Sequence, residues 1–189
     1  MKKIIILVLI SFSGLSQAQN LSFDQVINLR KQNLATVEEY LTSKNWSFLD
    51  GTEPTYERLG NATFTYKRSM YDDKAECFFK YMYSQNSDRK RISVQLVKKD
   101  IYNTYLARIK SLGCKLIKSE IVDGSLEKTY QGATTTIRIS ISTNKEDFYS
   151  SKTIYYFFIL DNEDYFINYV SDSLYEVAPA PADTIAIGY

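Results

Sequence analysis

The sequence predicts an α+β protein, a two-layer domain with an antiparallel sheet of about eight strands and two helices packed on one face. Three observations carry this. Helix signals stand at two places, one opening at Ser22 and one at Asp100. The stretches after each helix alternate apolar and polar residues, which is the two-residue period of a half-buried strand. Turn dipeptides and short polar clusters separate those stretches, so neighbouring strands run antiparallel.

Ser22-Phe23-Asp24-Gln25 has the pattern of a capping box, flanked by Leu21 and Val26 as a hydrophobic staple. One helix is expected from there to Lys44-Asn45. Its buried stripe is Phe23, Ile27, Leu34, Val37 and Leu41, with Arg30, Lys31, Glu38 and Glu39 outside. Trp46–Leu49 reads as a short strand, Asp50-Gly51 as a turn, and Thr52–Asn61 as a loop carrying Pro54. Ala62–Lys67 alternates, and Asp72-Asp73 turns the chain. Glu76–Ser84 reads as apolar on both faces, as a central strand would be. After a turn at Asn86–Asp88, Arg91–Val97 places Ile92, Val94 and Leu96 on one side.

The second unit repeats this order. Asp100 is expected to cap a helix whose stripe is Ile101, Tyr105, Ile109 and Leu112, and Gly113 supplies the left-handed residue that ends it. Cys114–Val122 and Ser125–Tyr130 flank Asp123-Gly124, a pair suited to a tight hairpin turn. Thr134–Thr143 alternates with Ile137, Ile139 and Ile141 on its dry face, and Thr153–Leu160 is apolar on both. Laid over each other, Val37 falls on Tyr105, Leu41 on Ile109, Trp46 on Cys114 and Leu49 on Ile117. This pattern reads either as a tandem helix-plus-four-strand duplication over residues 22–97 and 98–160 or as one meandering sheet. Asp161–Asp164 is an acidic turn, and Tyr165–Val170 is a last strand or a short helix.

Met1-Lys2-Lys3, the apolar run Ile4–Ile10 and small residues at Ser16 and Ala18 form a secretory signal peptide over residues 1–18, cut after Ala18. The run is too short for the ~20 residues of a membrane span, and no later segment is apolar enough for one. A single domain over 19–175 follows, then a flexible tail over 176–189 with Ala178-Pro179-Ala180-Pro181-Ala182. Thr184–Tyr189 beyond it alternates like a strand. The expected location is the periplasm or the secreted fraction.

Composition narrows the chemistry. Losing Lys2 and Lys3 with the leader takes the formal net charge from +1 to −1, which does not suit a nucleic-acid binder. Arg89-Lys90-Arg91 and Lys98-Lys99 are short enough to be solvated turns. With 0 histidines there is no Ser-His or Cys-His nucleophile pair, and 7 glycines form no phosphate loop. No cofactor is expected. Glu38-Glu39, Asp72-Asp73 and Asp161/Glu163/Asp164 are the carboxylate clusters. The last has oxygen ligands for Ca²⁺ but lacks EF-hand spacing, so no metal site is assigned. Cys77 and Cys114 are either bridged, tying the two units together, or two buried thiols. Without a CxxC, thiol redox catalysis is not expected.

Recognition remains. The 16 tyrosines and 10 phenylalanines either favour the sheet itself or mark a contact surface. The longer connections, Thr52–Asn61 and Asn144–Lys152, present Tyr56, Arg58, Phe148 and Tyr149. The polar sheet face presents Arg138 beside Thr136, Ser140 and Ser142. In element order residues 22–160 resemble the β-lactamase-inhibitor-protein-like fold, whose two tandem helix-plus-four-strand units grip another protein with sheet face and loops. This chain departs from that pattern with one helix per unit and a different cysteine arrangement, and no binding residue is carried over. The expectation is an exported, non-catalytic protein that binds another envelope or secreted protein. Alternatives are a carrier with an apolar pocket under the first helix, or a hydrolase with two facing carboxylates.

Overall fold

The computed structural model describes residues 21–71, 74–147 and 150–170. The proposed leader, the turn at Asp72-Asp73, Phe148, Tyr149 and the Pro/Ala tail lie outside the described residues. The elements are α1 (Phe23–Arg30), α2 (Leu34–Ser43), β1 (Trp46–Thr52), β2 (Gly60–Arg68), β3 (Ala75–Tyr83), β4 (Lys90–Leu96), α3 (Lys99–Ser111), β5 (Lys115–Val122), β6 (Ser125–Gln131), β7 (Thr135–Asp147), β8 (Ser150–Asp161) and α4 (Asn162–Tyr169). None of these helices is long and apolar enough to cross a membrane.

All eight strands join one antiparallel sheet in the order β1-β2-β3-β4-β8-β7-β6-β5. The first four strands and the last four thus form two halves that meet at β4–β8. Asp123 and Gly124 both have positive φ, 47° and 77°, as the β5–β6 hairpin requires. The capping box closes at Ser22 and Gln25.

The first helix is in fact two. Asn33 accepts a hydrogen bond from the Thr36 amide at 2.9 Å and caps a new start, so the chain breaks at 31–33 and the stripe resumes in α2. The break is tied to the sheet, because the buried Tyr81 hydroxyl donates to the Gln32 carbonyl at 2.7 Å. Burial, and after it the neighbouring Tyr83, pushes the Tyr81 phenol up to about 12. Arg30 is buried rather than outside, with Nη1 2.6 Å from Asp161 Oδ1.

Three helices, not two, lie on one face. Phe23, Val26 and Leu29 of α1, Val37 and Leu41 of α2, and Tyr105 and Ile109 of α3 join one core with Phe79, Val94, Phe157 and Ile139 of the sheet. Those four sheet residues are one another's register partners across β3, β4, β8 and β7. Tyr105 sits between Phe23 (ring centroids 5.3 Å) and Phe157 (5.2 Å), and its hydroxyl donates to the Leu21 carbonyl at 2.9 Å. The space under α1 is therefore occupied by side chains.

Other expectations are corrected. α3 starts two residues earlier than expected, with Lys98 at the cap and Asp100 in the first turn, where its charge suits the helix dipole. Asp50-Gly51 lies inside β1, whose register shifts between Phe48 and Asp50. β3 is buried on one face only, through Ala75, Cys77, Phe79 and Tyr81, while Lys80 is exposed. The stretch 144–152 is no long loop, since β7 and β8 run through most of it as paired strands. The segment after Asp161 is a helix, α4. Cys77 and Cys114 are both thiols. Cys77 is in β3, whereas Cys114 lies against Gly132 at the end of β6. The sheet order separates them by four strand spacings, roughly 19 Å, beyond the ~7 Å between Cα atoms that a bridge tolerates. Burial, then the Glu76 charge, pushes the Cys77 thiol well up.

Candidate functional site

Among the described residues, the second face of the sheet is covered only at one end, by α4. Tyr169 of α4 packs edge-on against Phe158, with centroids 6.5 Å apart, and the Arg138 guanidinium lies 4.2 Å from the same ring. Arg91 of β4 grips Asp164 of α4 through two hydrogen bonds, Nε–Oδ2 at 2.6 Å and Nη2–Oδ1 at 2.7 Å, and Asp164 is only 3% exposed. Those bonds hold the Arg91 guanidinium above its usual value. Asn168 Nδ2 adds a bond to Asp164 Oδ1 at 2.9 Å.

No other described helix lies on that face. Thr65, Phe78, Gln95, Tyr156 and Ser140 stand in one row across β2, β3, β4, β8 and β7, because each is the register partner of the next. Strand alternation turns them away from the helices. Beside them runs a second row with Thr63, Lys80 and Ser93. The two rows frame a depression of about 210 Å³ lined by Thr63, Phe78, Lys80, Ser93, Gln95 and Tyr156. Thr63 is 6% exposed, and its hydroxyl has no hydrogen-bond partner among the described residues. A buried hydroxyl left unpaired costs about 1–3 kcal/mol.

A larger cleft of about 350 Å³ continues from the depression to the edge of the face. The 53–59 loop forms one wall with Tyr56, Glu57 and Arg58, and Lys80, Met82, Arg89, Arg91 and Asn168 are among the residues opposite. The loop is pinned by Thr55, whose amide donates to the Arg58 carbonyl at 2.9 Å and whose hydroxyl accepts from the Arg58 amide at 3.1 Å. Gly60 closes it, since a Cβ there would lie 2.5 Å from the Pro54 nitrogen. Tyr56 is 90% exposed. Among the described residues, Arg58 and Lys80 enter no ion pair. The Arg91 charge is answered by Asp164, and Arg58, Lys80 and Arg89 outnumber the single carboxylate of the lining, Glu57, so the balance of charge in the cleft is positive.

Of the residues the sequence singled out, Tyr56 and Arg58 come together at this cleft. Arg138 does not join them; it packs under Tyr169, 4.0 Å from Glu127. Thr136 is buried and donates to Asn162 at 2.8 Å. Phe148 and Tyr149 lie outside the described residues. Asp161 and Asp164, taken as calcium ligand candidates, are engaged by Arg30 and Arg91. Sequence reasoning missed Phe78, Lys80, Gln95 and Tyr156. The signal for them was the strict alternation of β3, with Lys80 interrupting a run otherwise read as apolar on both faces.

The fold and this face define a class: an eight-stranded antiparallel α+β protein with one helix-covered face and one largely open face. In comparisons with known proteins, no family model matches the chain, and neither does any curated protein or any solved structure.

Proposed function

We propose that this is an exported, non-catalytic binding protein that receives another envelope or secreted protein on the open face of its sheet. The observation that carries this reading is the depression in which the rings of Phe78 and Tyr156 flank Ser93 and Gln95 of β4, with Lys80 and Thr63 beside them. An aromatic pair flanking polar groups at the centre of a surface is the make-up of an interface hot spot. The positive cleft alongside, with Tyr56 and Arg58 on its rim, suits an acidic side chain of the partner. Two further features support the reading. The chain has 0 histidines, and Asp164 beside the cleft is held in an ion pair with Arg91, which leaves Glu57 as the one carboxylate in the lining and no facing pair. The helical pair α1–α2 before β1–β4 also brings the first unit closer to the β-lactamase-inhibitor-protein-like order, which implies recognition by sheet face and loops.

Affinity capture from the envelope and secreted fractions tests this. Wild type and Glu39→Lys, a change on the far side in α2, should recover the same protein. Lys80→Glu and Tyr156→Ala should weaken its binding by about tenfold or more. Equal recovery by all four, or none by wild type, would refute it.

A further inference from the structure

Among the described strands, the sheet ends at two edges, β1 and β5. α2 lies against β1, whereas every residue of β5 is exposed. Four of its eight residues are large and apolar: Leu116 is 50% exposed, Ile117 49%, Ile121 69% and Val122 42%. A long exposed apolar edge is a template for pairing with another strand, and the order of side chains along β5 says which strand it fits.

We propose that β5 is a dimerisation edge, on which a second copy of this chain docks its own β5 antiparallel, about a two-fold axis through Ser119. The strand is palindromic in its chemistry around that residue: Leu116-Ile117-Lys118-Ser119-Glu120-Ile121-Val122. In this register Ser119 faces the partner's Ser119, Lys118 faces the partner's Glu120 and Glu120 faces the partner's Lys118, while Ile117 stays outside the regular ladder, at the point where β5 shifts register between Leu116 and Lys118. Moving the axis one residue either way sets Lys118 opposite the partner's Lys118, or Glu120 opposite the partner's Glu120. Like charges directly opposite are destabilising, and opposite charges are stabilising. The charges therefore select one register.

Within one copy, Lys118 Nζ already lies 2.7 Å from Glu120 Oε1. The two charges thus stand on the same face, and the dimer joins the two pairs into an alternating cluster of four. The contact is isologous, so it closes after two subunits and does not propagate through this edge. It also joins two eight-stranded sheets into one and leaves both open faces free, so the pairing is independent of the partner-binding reading.

Sedimentation equilibrium over the micromolar to millimolar range provides the test, with thermal melts to show that each variant is folded. Wild type should be a dimer. Lys118→Glu and Glu120→Lys, each placing like charges across the axis, should weaken self-association by about tenfold or more. Mixing those two variants should restore a dimer containing one of each, and the double variant should dimerise alone. A wild-type monomer throughout the range would overturn the proposal. So would single variants that dimerise as wild type does. A monomer whose β5 amides are nonetheless protected from hydrogen exchange would overturn it in favour of another segment of the same chain as the occupant.

Discussion

Removing Arg91 exposes how α4 is held on the sheet. In Arg91→Ala the Asp164 carboxylate stays 3% exposed but loses both guanidinium bonds, of 2.6 and 2.7 Å. Asn168 remains as its side-chain donor. Breaking a buried pair from one side costs about 3–5 kcal/mol, because an uncompensated charge stays behind. The Asn168 bond puts this site near the lower end, about 3 kcal/mol. At this chain length each kcal/mol shifts Tm by about 2–4 °C, so the expected loss is about 6–12 °C. Replacing both partners together, Arg91→Met with Asp164→Leu, should restore most of it, since no buried charge is then left unpaired. The exposed pair between Arg108 and Asp24, 45% and 52% exposed, serves as the contrast and should cost at most about 1 kcal/mol when broken. Urea denaturation with an unchanged m-value is the assay. An Arg91→Ala loss no larger than the Arg108→Ala loss would refute the reasoning.

Three further outcomes follow from the same structure. Tyr105→Phe should cost about 1–2 kcal/mol in urea, because the Leu21 carbonyl loses its 2.9 Å donor in the core; an unchanged midpoint would contradict this. The folded Tyr81 phenol, at about 12, lies above its ordinary value of 10.0. Its contribution is thus complete below that ordinary value and is lost as pH rises towards 12, so Tm should fall steeply over that window while tyrosinate absorbance rises. A flat Tm there would count against the burial of Tyr81. Cys77 and Cys114 should both titrate as thiols after unfolding, and reducing agent should leave Tm unchanged; a reductant-sensitive melt would show a bridge.

Local chemistry was legible in the sequence where it was self-contained. The Ser22 capping box, the Asp123-Gly124 turn and the alternating Ile92-Val94-Leu96 and Ile137-Ile139-Ile141 stretches each declare themselves within a few residues. The helix break at 31–33 was hidden, because the apolar spacing from Ile27 to Leu34 still fits one helix. Asn33 capping wins there because Tyr81, far along the chain, satisfies the Gln32 carbonyl. Arg30 looked like a surface residue because Asp161, the partner that lets it be buried, is remote in sequence. In the candidate site, Tyr56 and Arg58 were found because loop aromatics and arginines stand out. Thr63, Lys80 and Tyr156 were not, since strand register decides which side chains from three different strands become neighbours. Arg138 was placed on the correct face, but α4 folds over it, and Tyr165–Val170 did not distinguish strand from helix.

The central claim is that the open sheet face is where a partner sits. Photo-crosslinking in the producing cells tests it most directly, with benzoylphenylalanine substituted for Tyr156 on that face, for Tyr56 at the cleft rim, or for Glu39 on α2. The account predicts one common adduct from Tyr156 and Tyr56 and none from Glu39. Adducts from Glu39 alone, or from none of the three, would contradict it.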